Sequence, residues 1–130
     1  VIQEAEGRLL KDIIEQEGIA RFIEIEEKIN AEIRAEHTVI ATGGSVVYGK
    51  KAMEHLHNLG TVVYIKLSYE GICSRVGNIK QRGIVLAEGQ TFRELYDERI
   101  LLYEYYADLV IDSEKMTIEE TAMSIENLLQ

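Results

Sequence analysis

The chain has 130 residues, 46% of them apolar, which suffices for one domain with a buried core. Its formal charge of −9, from 14 Lys and Arg against 23 Asp and Glu, argues against a nucleic-acid-binding surface, because phosphate backbones are held by clustered cations. A single cysteine, Cys73, rules out an internal disulfide, and the longest apolar runs are a few residues, far below the roughly 20 that a membrane-spanning helix needs.

The sequence opens on Val-Ile-Gln-Glu-Ala-Glu, without Met and inside an amphipathic pattern, so the biological start is expected upstream of Val1. From Arg8 to Glu36, apolar residues at Leu9, Leu10, Ile13, Ile14, Phe22, Ile25 and Ile29 keep helical spacing. Gly18 divides the run, which predicts one helix ending near Gln16 and another from about Ile19 to Ala35. The glutamates from Glu24 to Glu36 read as a solvated face of the second helix. His37–Thr42 is β-branched and mostly apolar, and it reads as a buried strand running into Gly43-Gly44-Ser45.

Lys50–Leu59 places Ala52, Met53, Leu56 and Leu59 on one helical face and is stopped by Gly60; Thr61–Leu67 follows as a second buried strand. Ser68 is suited to cap a helix over Tyr69–Val76, in which Cys73 reads as a small buried hydrophobe. Residues 77–90 carry three glycines, Gly77, Gly83 and Gly89, among charges, and read as a mobile loop. Thr91 with Glu94, and Thr117 with Glu120, form capping-box signatures for helices running to about Tyr106 and to the end of the chain. Asp108–Asp112 between them is a third short strand. Strands alternating with helices predict an α/β domain over 1–130, a parallel sheet covered on both faces. Three strands are few for this many helices, so one or two more are expected outside the sequence.

Residues just after the strands of an open α/β sheet are the first candidates for function. Gly43-Gly44 sits there: glycines let a ligand approach the backbone, but the pair serves equally as an ordinary strand-to-helix turn. Arg75 and Arg82, at a helix end and within the glycine-rich loop, suit phosphate as guanidinium forks on a closing segment; the alternative is ordinary surface charge. Arg99 and Tyr103 share a helix face four residues apart, with Tyr106 a turn on, which fits a substrate grip or an Arg paired with a helix carboxylate. Tyr103, Tyr105 and Tyr106 read most simply as packing residues. His55 and His57 point apart on their helix, which makes a metal site a poor reading.

The order of these pieces is more specific than any one of them. A strand ending in Thr-Gly-Gly, a helix, the strand Val-Val-Tyr-Ile, two arginines, then Arg99-x-x-x-Tyr103-x-x-x-Ala107-Asp108 and the strand Leu-Val-Ile-Asp resembles the shikimate kinase family over nearly the whole chain. The resemblance implies a P-loop kinase fold of the nucleoside-monophosphate-kinase type, with a helical substrate-binding segment over residues 8–36 and a lid over 77–90. It implies ATP with Mg²⁺ as cofactors and transfer of phosphate to a hydroxyl of a small hydroxy acid, shikimate first, in aromatic amino acid biosynthesis. Arg75 would lie against the adenine. Arg82 would reach the phosphates as the catalytic lid arginine. Gly43, Gly44 and Arg99 would hold the acid, Arg99 through its carboxylate, with Phe22 walling the pocket.

The resemblance comes with departures. No Gly-x-x-x-x-Gly-Lys-Ser/Thr loop occurs, and Gly49-Lys50 is followed by Lys51, so that loop and an Asp-x-Asp segment are expected upstream; the 130 residues by themselves are expected to be inactive. The family pattern Gly-Glu-x-x-Phe-Arg-x-x-Glu appears as Gly18-Ile19-Ala20-Arg21-Phe22-Ile23-Glu24-Ile25-Glu26, with Ile23 where an arginine grips the acceptor. Arg21 cannot stand in, because two helical residues rotate a side chain by about 200°. Losing one such contact costs roughly 1.5 to 3 kcal/mol, which opens a different acceptor as an alternative; a non-catalytic nucleotide-binding domain is another. Ser45 replaces a third glycine, and Arg82-Gly83-Ile84 replaces Arg-Pro-Leu in the lid. The cytoplasm is the expected compartment and, by resemblance, a monomer the expected state, with ATP and the small acid as partners and neither membrane nor nucleic acid.

Overall fold

The computed structural model describes residues 1–77 and 86–130. Two helices open the chain, α1 (Ile2–Glu6) and α2 (Leu10–Ala31). Gly18 breaks α2 internally with φ 82°, ψ 169°, a conformation favoured by glycine, so the expected division into two helical pieces is present as a kink. The second piece ends at Ala31, four residues earlier than expected. Ile13, Phe22 and Ile25 are buried together on α2, with Ile14, Ile19, Ile23 and Ile29 packed around them.

Residues 38–42 form no strand, against expectation. A strand exists only through pairing, and this segment stands across a hollow of about 700 Å³ from residues 62, 63 and 65, with Val39 94% exposed. A 3₁₀ turn (Gly44–Tyr48) follows and leads into α3 (Lys50–Leu59). Val46 and Val47 of the turn are buried with Ala52 and Met53 of α3 in a second core, where Leu56, Val62, Leu102, Tyr103 and Tyr106 join them.

β1 (Val63–Lys66) and β2 (Leu109–Asp112) pair in parallel, Val63 opposite Leu109 and Lys66 opposite Asp112; among the described residues the sheet therefore has two strands where three were expected. Parallel neighbours need a long crossover, and this one carries α4 (Tyr69–Val76) and α5 (Phe92–Tyr106). The last helix is α6 (Ile118–Leu129). The class is α/β, as expected. Ser68 caps α4 by accepting from the Gly71 N–H, and Thr91 and Thr117 both close capping boxes with Glu94 and Glu120. Cys73 is exposed rather than buried, because α4 buries no residue of its own.

Candidate active site

The capping box at Thr91 fixes where α5 begins, and from there the helix presents Leu95, Arg99, Leu102, Tyr103 and Tyr106 on one face. Leu95 is fully packed, and Leu102, Tyr103 and Tyr106 dock on the Val46–Met53 core. Arg99 lies on the same face and is buried to 8% exposure, an expensive place for a guanidinium unless polar groups receive it. Its Nε donates to the Tyr48 hydroxyl at 3.4 Å, and its guanidinium stands over the Tyr48 ring at 5.4 Å. The Tyr48 hydroxyl in turn donates to Glu98 Oε1 at 2.5 Å, and burial holds that phenol above its ordinary pKa. Among the described residues no buried side-chain nitrogen or oxygen lacks a hydrogen-bond partner.

Arg99 and Tyr103 both close on the glycine turn. The Tyr103 hydroxyl donates to the Gly44 carbonyl at 2.9 Å. A β-carbon placed on Gly44 would fall 2.6 Å from that hydroxyl and 2.9 Å from Arg99 Nη1, closer than any side chain tolerates, so the approach of these groups requires glycine. Tyr103 is thus more than packing: it ties α5 to the turn that carries Gly43 and Gly44. A hollow of about 240 Å³ opens beside them, lined by Thr42, Gly43, Gly44, Tyr64 and Tyr103 among others.

The other face of the turn meets α2. Ser45 Oγ donates to Glu26 Oε1 at 2.5 Å, with both side chains buried, and Glu26 Oε2 lies 3.3 Å from where a Gly43 β-carbon would stand. Burial raises the Glu26 carboxyl above its ordinary pKa; the Ser45 hydrogen bond and the Arg99 charge oppose that rise. Glu26 therefore departs from the solvated glutamate face expected for α2. The signal was present in the sequence: Phe22, Ile25, Glu26 and Ile29 keep the spacing i, i+3, i+4, i+7.

Of the residues singled out from sequence, Gly43, Gly44 and Arg99 come together. Phe22 is buried within the α2 cluster of Ile13 and Ile25. Ile23 packs against the same cluster and brings no charge, while Arg21 is turned to Glu24 at 3.1 Å. Arg75 stands on the last turn of α4, where its charge acts on Glu114 in the loop that follows β2. Glu114 of that loop accepts from the Ser68 N–H and from Ser68 Oγ, both at 2.8 Å, which with the charge of Arg75 depresses its pKa. Arg82 and most of the expected lid lie outside the described residues.

Residues 1–130 match the family model for shikimate kinase. The chain is 32% identical over 120 residues to a shikimate kinase of Thiobacillus denitrificans, covering 90% of this chain and 66% of that protein. It is 34% identical over 128 residues to a shikimate kinase of Thermodesulfovibrio yellowstonii, covering 96% of this chain and 73% of that one. A shikimate kinase of Sulfurihydrogenibium sp. is 31% identical over 118 residues, with 90% and 70% covered. The chain thus spans about two thirds to three quarters of the length of these relatives. With the glycine turn, its arginine and the parallel strand pair arranged as above, and a match running through all 130 residues, the chain belongs to the shikimate kinase family.

Proposed function

We propose that the protein transfers the γ-phosphoryl group of ATP to a hydroxyl of shikimate, forming shikimate phosphate and ADP. The observation that carries this reading is Arg99 packed against the Gly43–Gly44 turn: a fixed guanidinium beside an open backbone, in a member of this family. Arg99 pairs with the acceptor's carboxylate, and the turn lets the ring approach the main chain. Arg75, at the end of α4, positions the nucleotide base. Arg82 carries positive charge to the transferring oxygens, and Phe22 supports the acceptor segment from within α2. Such transfer needs alignment and charge neutralisation more than covalent help from protein. The acceptor oxygen forms the new P–O bond as the bond to the ADP oxygen breaks, and the hydroxyl proton is released to solvent.

Mg²⁺ neutralises the nucleotide phosphates when bound. In this scheme Mg²⁺ enters as a companion of the nucleotide, held largely through its phosphates. No described helix is long and apolar enough to cross a membrane. A cytoplasmic monomer acting on two small anions, without nucleic acid, completes the proposal.

A second reading keeps the chemistry and changes the acceptor, since Ile23 packs against apolar neighbours where the family motif has an arginine. Turnover of ATP by the full-length protein, measured with shikimate and with a panel of other small hydroxy acids, separates the two. Shikimate as the best acceptor supports the first reading; another acid turned over faster supports the second; no acceptor-dependent turnover with any of them defeats both.

A further inference from the structure

Arg99 is held at more than the glycines. Tyr48 closes the Gly44–Tyr48 turn, and its ring and hydroxyl both meet the guanidinium: Nε donates to the hydroxyl at 3.4 Å, and Cζ stands 5.4 Å from the ring centroid. The hydroxyl gives its own proton to Glu98 Oε1 at 2.5 Å. The other Glu98 oxygen accepts from Gln90 Nε2 at 3.2 Å. Gln90 is fixed in turn, since its side-chain oxygen accepts from the Ala87 N–H at 3.1 Å and its own N–H donates to the Ala87 carbonyl at 3.0 Å. One line of hydrogen bonds thus runs from the turn before α5, through Gln90, Glu98 and Tyr48, to Arg99.

The line has a direction. Burial and the bond to Glu98 hold the Tyr48 phenol above its ordinary pKa, against the pull of Arg99, so it stays protonated. A carboxylate can only accept and a guanidinium can only donate. With the phenol's one proton committed to Glu98, its oxygen therefore offers lone pairs alone to the Arg99 Nε–H. Without Glu98 the hydroxyl hydrogen can turn elsewhere, and the contact at Nε loses its set polarity. A guanidinium is a planar fork, so fixing Nε and laying one face on a ring restrict the whole plane, including the Nη1 that stands at the Gly44 turn.

We propose that Tyr48 is a positioning residue that orients the Arg99 guanidinium for the acceptor's carboxylate, and that Glu98, braced by Gln90, acts through the Tyr48 hydroxyl. This rests on the reading of Arg99 as the partner of that carboxylate. The sign separates positioning from simple charge. Glu98 is an anion next to Arg99 in the chain, so an effect of its charge alone would make its removal strengthen the hold on an acid, whereas loss of a brace weakens it.

The test is titration of shikimate, of its uncharged carboxamide and of ADP into the full-length protein and its variants. Tyr48→Phe keeps the ring beside the guanidinium and removes the hydroxyl. Glu98→Ala changes an exposed helical position, where alanine is the residue best tolerated. Each is expected to weaken shikimate binding about fivefold, the scale of one hydrogen bond. The advantage of shikimate over the carboxamide falls by about the same factor, and ADP affinity is unchanged. The double variant binds shikimate no more weakly than Tyr48→Phe, because both changes break one line. Unchanged shikimate affinity in Tyr48→Phe, equal weakening of all three ligands, tighter shikimate binding in Glu98→Ala, or losses that multiply in the double variant each overturn the proposal. Arg99→Lys identifies which idea failed. Unchanged shikimate affinity in that variant removes the Arg99 reading and the proposal with it; weakened affinity there beside an unaltered Tyr48→Phe removes the proposal alone.

Discussion

A methyl group at Gly44 would overlap space held by the Tyr103 hydroxyl and Arg99 Nη1, so Gly44→Ala has to push both away from the turn. The expected result is a loss of stability of about 1 to 3 kcal/mol, the usual cost of overpacking. Shikimate affinity should fall about tenfold or more, as expected when a charge-assisted contact is displaced, while ADP affinity is unchanged. Thermal unfolding and paired titrations with shikimate and ADP check both; equal weakening of the two ligands would mean that Gly44 supports the fold as a whole and not the acceptor. Single residues differed in how well sequence exposed them. Gly43, Gly44 and Arg99 stood out through their order along the chain, not through their types, since each alone also fitted a turn or a surface ion pair. Glu26 escaped because a run of glutamates is normally a solvated face, and only its spacing from Phe22 and Ile29 marks it as inward. Tyr103 was legible as a neighbour of Arg99, but its bond to the Gly44 carbonyl spans 59 residues, which no local pattern encodes.

At the scale of the element, what is chemically local was readable and what is paired at a distance was not. The caps of α4, α5 and α6 depend on a hydroxyl and, for the latter two, a carboxylate within one turn, and all three form where expected. The Gly18 break likewise needs only the conformational freedom of one residue. Residues 37–42 carried a strand composition without a ladder, because composition speaks of burial while hydrogen-bond partners lie elsewhere in the chain. The boxes give a matched pair of tests. Thr91→Ala and Thr117→Ala should each cost about 1 kcal/mol of stability, measured by denaturant unfolding. Neither should alter shikimate affinity. Arg99 lies two turns inside α5, beyond the reach of a frayed first turn, and is locked by Leu95 and Tyr103 packing on either side. Weaker shikimate binding in Thr91→Ala alone would show instead that the start of α5 sets the arginine's position.

For the molecule as a whole, the two strands and the helices around them do one thing that matters to function. They bring α2, the Gly44–Tyr48 turn and α5 to a single point, so a carboxylate, a hydroxyl, an open backbone and a guanidinium meet from segments far apart in sequence. The net charge of −9 opposes the approach of anionic ligands, so under the proposed function affinity for an acid and for a nucleotide has to be local, with Arg99 and Arg75 as its proposed sources. The most direct measurement is therefore a comparison of ligands at Arg99. Shikimate and its carboxamide, which lacks the negative charge, are titrated into the full-length wild type and into Arg99→Lys. If Arg99 grips the acceptor carboxylate, shikimate binds the wild type about tenfold or more tightly than the carboxamide, and Arg99→Lys erases most of that difference. Equal preference for the acid in both proteins would contradict it.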